Sequence, residues 1–176
     1  MRSEVLILLV CASSLSCSTH MPSVAPDQRP TGKEAIVYGK FELSGSAAYR
    51  SIALVIHCQD GREYRIRFDD REPIVVLATA PSTCWLDQML RLDWDNSTLK
   101  KTALPDPMRH PMRLEAGRAY YLGDFSGTIA YESELRETAQ LKDVRNEFSA
   151  TTQDFRQRFP KLQGIMPVDL IRRTDD

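Results

Sequence analysis

SIALVIHCQDGREYRIRF, residues 51–68, is the stretch that decides the fold class. Apolar side chains recur at every second position on both sides of Asp60 and Gly61, which is the period of a strand with one buried face. An Asp-Gly pair favours a tight hairpin turn, because glycine adopts a positive φ without steric cost. The stretch therefore predicts an antiparallel hairpin that buries one face and directs Arg65 and Arg67 to solvent.

Similar strand patterns recur at even intervals along the rest of the chain. Residues 84–94 also fit a helical face after Ser82, but we favour a strand there. Residues 99–111 are rich in proline and lack an apolar period, which predicts a surface loop. The predicted strands are residues 35–43, 51–58, 64–68, 74–78, 84–94, 118–129 and 140–148. We therefore expect a mainly β chain that forms an antiparallel β-sandwich of about seven strands.

One short C-terminal helix is expected after the last strand. Thr151 and Asp154 have the spacing of a capping box, and two phenylalanines follow one turn apart before Pro160. Near the other end of the chain, prolines among small and polar residues indicate a flexible tether. The expected organisation is a signal peptide at 1–16, a tether at 17–33, a β-sandwich domain at 34–163 and a C-terminal tail at 164–176.

The charge balance limits the classes of partner. Lys and Arg together number 23 and Asp and Glu number 24, which gives a net charge of −1. This is not the large basic field that nucleic-acid binding needs, so we expect no nucleic-acid partner. About 160 residues remain after the leader, which is the length of one ordinary domain.

The first residues have the layout of a bacterial export signal: Arg2, an apolar run over residues 5–12, and small residues before Cys17. The apolar run is too short to cross a bilayer core, which needs about twenty residues in a helix. We therefore expect the segment to be removed and the mature protein to work outside the cytoplasm.

Leu15-Ser16-Cys17, after this apolar run, resembles the cleavage site of a bacterial lipoprotein signal. The resemblance implies that Cys17 becomes the lipidated first residue. Ser18 after it implies the periplasm-facing side of the outer membrane, if the host is Gram-negative. Ser14 stands where such signals usually carry leucine, and Ser14 with Ser16 also satisfies the small-x-small rule of ordinary signal cleavage. The alternative is a soluble periplasmic protein in which Cys17 is merely terminal.

The remaining cysteines predict a disulfide. Cys11 leaves with the leader and Cys17 is lipidated or terminal, so Cys58 and Cys84 remain as a pair in an oxidising compartment. Both fall on the core-facing side of their predicted strands. The competing interpretation, a redox-active or metal-binding pair, lacks the C-x-x-C spacing that tunes a thiol.

A metal site and a partner-binding anchor are the two candidate surface sites. Met108, His110 and Met112 alternate in a proline-rich loop, and sulfur with imidazole suits Cu(I), although such residues also occur in loops by chance. Tyr120 and Tyr121 point to opposite faces of a strand, so only one can lie in the core. Tyr121, with Trp85 or Trp94, is therefore a candidate anchor for a protein partner, the alternative being that all these rings pack in the core or at sheet edges.

Two segments and the short helix carry a family resemblance: Ala35-Ile36-Val37-Tyr38-Gly39-Lys40 and Gly117-Arg118-Ala119-Tyr120-Tyr121-Leu122-Gly123-Asp124. They are similar to the carboxypeptidase-regulatory-like or transthyretin-like β-sandwiches of bacterial lipoproteins of unassigned function, over most of residues 34–160. The segment around Cys84 departs from that family in lacking a glycine before its strand. The resemblance implies a scaffold or binding role and supplies no catalytic residue.

The expected function is a non-enzymatic binding or scaffold module of the cell envelope. It would contact the membrane through a lipid on Cys17, bind an envelope protein and need no cofactor. A periplasmic inhibitor or a carrier of a small ligand or copper is the alternative, and a hydrolase with dispersed catalytic residues is a weaker one.

Overall fold

The computed structural model describes residues 24–45, 50–68, 73–93, 99–104, 109–133 and 136–171. These residues form two five-stranded sheets and one short C-terminal α-helix, which confirms the mainly β fold class. The strands are β1 Ala35–Gly45, β2 Arg50–Cys58, β3 Glu63–Arg67, β4 Ile74–Thr79, β5 Ser82–Asp93, β6 Leu99–Ala103, β7 Met112–Leu114, β8 Arg118–Ser133, β9 Arg136–Arg145 and β10 Met166–Asp169. The helix α1 is Phe148–Arg158, and a 3-10 turn follows at Pro160–Leu162.

The first sheet has the order β4-β1-β8, and both β9 and β10 pair with the other side of β8. β1 is antiparallel to β4 but parallel to β8, so this sheet is mixed rather than antiparallel throughout. A parallel pair needs a long connection, and here the chain passes through the whole second sheet between β1 and β8.

The second sheet has the order β3-β2-β5-β6, with β7 also pairing with β5. All its pairs are antiparallel. β2 and β3 form the expected hairpin, and Gly61 in the turn has a φ of 82°. β5 is a strand, as favoured, rather than a helix.

The structure has more strands than expected, because three of them have only three to five residues, too few to establish an apolar period. β6 and β7 pair with β5, so the prediction of a loop over residues 99–111 is wrong for its first five residues. β10 pairs with β8 inside the segment expected to be a tail. Backbone hydrogen bonds to a neighbouring strand hold such elements, and sequence periodicity does not report those bonds.

The main core lies between the two sheets. Its members come mainly from β1, β4 and β8 on one side and from β2, β3, β5 and β7 on the other; the largest of those that are fully buried are Phe41, Ile52, Leu54, Ile56, Ile66, Phe68 and Leu77. Phe41 and Phe125 stack with their ring centres 5.0 Å apart. The alternation in residues 51–68 thus identified the core-facing side of the hairpin. The other face is not left to solvent as expected, because Ala53 and Val55 are buried there with Leu90, and Arg65 and Arg67 are half-buried.

A second apolar cluster lies on the opposite face of the first sheet, where α1 covers it. Phe155 of the helix and Phe159, which follows its last residue, pack there with Ile36 and Tyr38 of β1. The helix begins at Phe148, three residues before the predicted capping box, and its N-cap residue makes no side-chain cap. The capping box is wrong because the Thr151 hydroxyl binds a carboxylate of the sheet instead.

The packed unit extends beyond the expected domain limits of 34 and 163 at both ends. Val24 is buried with α1, and its N–H donates to the carbonyl of Val76 on β4 at 2.9 Å. At the other end β10 belongs to the first sheet. The expected signal peptide and Cys17 lie outside the described residues. Among the described residues, no helix has the length and apolar character needed to span a bilayer.

Candidate functional site

A β-bulge at Gly123 creates the candidate site. Between the register pairs Tyr38–Tyr121 and Lys40–Asp124, β1 advances two residues while β8 advances three. Gly123 has a φ of 124°, and a Cβ on the facing Gly39 would lie 2.6 Å from the Gly123 carbonyl oxygen. Only glycine adopts that φ readily at position 123, and only glycine leaves enough room at position 39. The extra residue brings Tyr121 and Asp124 onto the same face of the sheet, beneath α1.

Tyr121, Asp124 and Thr151 then form a buried hydrogen-bonded group. The Tyr121 hydroxyl donates to Asp124 Oδ1 at 2.8 Å, and Thr151 Oγ1 lies 2.9 Å from both carboxylate oxygens. Tyr121 also accepts the N–H of Glu147 at 2.9 Å. Next to them, Tyr38 and Thr152 share a hydrogen bond of 2.6 Å between their hydroxyl oxygens. We name these five residues, Tyr38, Tyr121, Asp124, Thr151 and Thr152, the hydroxyl–carboxylate cluster.

Burial controls the ionisation of this cluster. Burial raises the pKa of the Asp124 carboxyl, and the hydroxyls of Tyr121 and Thr151 and the charge of Lys40 partly offset that rise. Burial also raises the pKa of Tyr38 to about 12, and burial and the bond to Asp124 raise the pKa of Tyr121 further still. Both tyrosines are therefore neutral hydrogen-bonding groups near neutral pH.

The cluster fastens the helix to the sheet. Asp124 is only 6% exposed, and its hydrogen bonds run to β8 and α1 rather than to solvent. A general acid or base must come within hydrogen-bond reach of a substrate proton, whereas these oxygens face Tyr121 and Thr151. The arrangement therefore positions α1 and gives it a fixed orientation on the first sheet.

A groove runs beside α1, and Thr152 of the cluster forms part of its lining. Its volume is about 490 Å³, within the range of small-molecule sites. Its lining consists of Phe148, Ser149, Thr152, Gln153, Arg156, Gln157, Gln163 and Pro167. Amides, hydroxyls and one guanidinium stand beside apolar atoms along the lining, so the groove can offer hydrogen bonds and one positive charge to a ligand.

The predicted disulfide is present. Cys58 and Cys84 are joined by an S–S bond of 2.07 Å and stand opposite each other on β2 and β5. Both are buried in the core between the sheets. The bond ties two strands of the second sheet together at one end of that sheet.

The structure assigns Met112 a packing role. Met112 is buried in the core and pairs in register with Cys84, while His110 is exposed before β7. Met108 lies outside the described residues. The described part of the chain holds no group of three His, Cys, Asp or Glu residues suited to a metal ion. The thioether of Met112 is therefore not accessible to a copper ion at the site that the sequence predicted.

Tyr121 does not provide an exposed anchor, because α1 covers it completely. Tyr120 faces the core between the sheets, so both tyrosines are buried, on opposite faces. Trp85 is partly exposed on the second sheet, with its ring 5.0 Å from that of His57. Trp94 lies outside the described residues.

Sequence reasoning missed the role of Asp124 and assigned Thr151 to a capping box, although these two residues are the central groups of the cluster. The only local signal was an aspartate directly after a glycine within an apolar strand.

A comparison with known proteins adds no residue to the site, because no family model, curated protein or solved structure matches this chain. The resemblance to transthyretin-like sandwiches stays a prediction.

Proposed function

We propose that the chain is a lipid-anchored protein of the bacterial cell envelope, on the periplasm-facing side of the outer membrane, and that it acts as a non-enzymatic binding or scaffold module. The Cys58–Cys84 disulfide carries the proposal, because such bonds persist in oxidising compartments and are rare in the cytosol. An export-type leader and Cys17 after it point to the same compartment.

The start of the packed unit supports a role close to the membrane. Val24 is the first described residue and is already buried, seven positions after Cys17. A fully extended chain spans at most about 3.6 Å per residue, so that link is at most about 25 Å long. A lipid on Cys17 would therefore hold the domain next to the bilayer rather than on a long tether.

The hydrogen bonds among the buried polar groups support a binding role rather than catalysis. The carboxylate and hydroxyls beneath α1 bond to one another and fix the helix. The groove beside α1 and the edges of the sheets remain as recognition surfaces, and an edge can accept a strand from a partner. The groove also favours the second candidate, a soluble periplasmic carrier of a small polar ligand.

Mass spectrometry of the intact protein from the membrane fraction tests the anchor. We expect a chain that begins at Cys17 and carries added acyl mass, whereas a chain without acyl mass contradicts it. Crosslinking in intact cells, followed by capture of the tagged protein, tests the adaptor role, with a Cys17→Ser form as the control. A partner recovered only with the anchored form supports the role, and no partner with either form favours the ligand carrier.

A further inference from the structure

β3 is an edge strand of the second sheet. It pairs with β2 on one side, and no strand in the described part of the chain pairs with its other side. The N–H of Phe68 donates to the carbonyl of Ile52, and bonded pairs alternate with non-bonded pairs along an antiparallel ladder. The backbone N–H and C=O groups of Glu63, Arg65 and Arg67 therefore point away from β2, toward the outside of the sheet.

This edge can accept one further strand. β3 contains no proline, and its register with β2 is continuous, without a bulge. An extended segment of another protein can add to such an edge through main-chain hydrogen bonds. The strand has only five residues and carries charged side chains, two features that oppose indiscriminate pairing. A strand that adds here must therefore complement those charges.

Arg65 is the charged residue at the middle of this edge. Its side chain lies on the outer face of the second sheet, because Tyr64 and Ile66 on either side of it face the core. The residue is half-buried, and its Nε is shielded from solvent with no hydrogen-bond acceptor in the described part of the chain. Its register partner Val55 is only 1% exposed and offers no polar side-chain atom. Arg65 therefore presents a partly desolvated guanidinium whose Nε lacks an acceptor.

No acidic residue of the described chain neutralises Arg65. Glu63 shares its face of β3, but Glu63 Oε1 lies 3.5 Å from Nδ1 of His57 on β2. None of the ion pairs among the described residues includes Arg65. Arg113 on β7, in contrast, lies 3.5 Å from Glu115. A carboxylate from outside the protein would supply what Arg65 lacks, and arginine suits it because its donors match both carboxylate oxygens.

We propose that the edge of β3 binds an extended segment of an envelope protein, with an acidic side chain of that segment opposite Arg65. The segment adds as an antiparallel strand, and its carboxylate accepts hydrogen bonds from the guanidinium on the outer face. Its residues before and after the acid lie on the side of Tyr64 and Ile66, so they are apolar. The partner sequence is therefore apolar–acidic–apolar. This inference rests on the proposed scaffold function and names its surface and its kind of partner.

Peptide titration followed by NMR tests the proposal with the chain from Ser18 onward, which contains every described residue. The probe is the peptide acetyl-Thr-Val-Glu-Val-Thr-amide, which has the five-residue length of β3. One control peptide has glutamine in place of the glutamate. The other has a methyl group on the glutamate nitrogen, which removes the N–H that would donate to the carbonyl of Arg65.

Two protein variants separate a specific contact from general charge. Arg65→Gln removes the guanidinium at the edge, and Arg113→Gln removes an arginine from β7, which pairs with the opposite side of the sheet. Thermal unfolding of the wild type and both variants verifies that they fold.

We expect the glutamate peptide to shift the backbone amide signals of Glu63–Arg67 more than those of the other strands. It should bind the wild type about tenfold more tightly than the glutamine peptide, because a hydrogen bond between two charged groups is stronger than one with a neutral amide. Arg65→Gln should remove this preference, and Arg113→Gln should keep it. The N-methyl peptide should not bind, because main-chain hydrogen bonds supply most of the affinity of an added strand.

Four results would overturn the proposal. They are no binding of the glutamate peptide at millimolar concentration, equal affinities for the glutamate and glutamine peptides, a preference that Arg65→Gln keeps, and undiminished binding of the N-methyl peptide. A dimer of the chain that excludes the peptide would overturn it too, by assigning the edge to a second copy.

The crosslinked partner in cells is a separate readout of the proposed function. A partner that Arg65→Gln still captures would overturn the edge assignment and leave the scaffold role standing. Specific peptide binding without any partner in cells would leave the edge standing and contradict the scaffold role. The two failures are therefore distinguishable.

Discussion

Replacing Thr151 by valine tests how the helix is held. The change removes the hydroxyl that lies 2.9 Å from both oxygens of Asp124 and keeps the β-branched shape of a buried side chain. A hydrogen bond to a charged group contributes roughly 1.5–3 kcal/mol to stability. We expect Thr151→Val to lower the free energy of unfolding by about 2 kcal/mol at pH 7.

Thr152→Val is the matched control. It is adjacent on α1, also buried, and removes the 2.6 Å bond to Tyr38, which is a neutral pair. A neutral hydrogen bond contributes only about 1 kcal/mol, so the control should cost about half as much. The assay is urea unfolding followed by circular dichroism with the disulfide intact, since the midpoint and slope give both free energies.

The pH dependence sharpens this comparison. Protonation of Asp124 removes its charge, so the cost of Thr151→Val should fall toward about 1 kcal/mol in acid, while the cost of Thr152→Val should not change. Two results would refute the charged hydrogen bond as the main link between helix and sheet. One is an equal loss of stability in the two variants at pH 7, and the other is a loss in Thr151→Val that is the same in acid as at pH 7.

Three other perturbations have expected outcomes. Burial raises the pKa of Asp124, so its carboxyl contributes most to the free energy of unfolding when it is protonated. That contribution is fully present below the unfolded pKa of about 4 and is lost as pH rises through the folded pKa. Asp124→Asn should therefore remove this decline from the plot of the free energy of unfolding against pH. Gly39→Ala should destabilise by about 2 kcal/mol or more in urea unfolding, because its Cβ would meet the carbonyl oxygen of the bulge at 2.6 Å, whereas Gly164→Ala meets nothing within 4 Å and should cost under about 1 kcal/mol. Replacing Cys58 and Cys84 together by alanine should cost about 3.5 kcal/mol from loop entropy; a loss under about 1 kcal/mol would contradict that stabilisation.

The hairpin and the disulfide were predictable because both depend on local order. A two-residue period assigns each side chain of β2 and β3 to a face, whatever the rest of the chain does. Cys58 and Cys84 could then be placed on core-facing positions before any pairing was known. The same logic identified the apolar face of β5 and favoured a strand there.

The sequence by itself determined the β class, the core-facing positions of β2, β3 and β5, the cysteine pair and the existence of a short helix near the C-terminus. Only the tertiary structure decided that β1 runs parallel to β8, and hence that Gly39 meets the bulge at Gly123. That bulge shifts the alternation of β8 by one residue and turns Asp124 toward Thr151 on α1. The physical reason is that periodicity is a property of one strand, whereas a bulge and a buried carboxylate depend on which distant strand and helix lie against it.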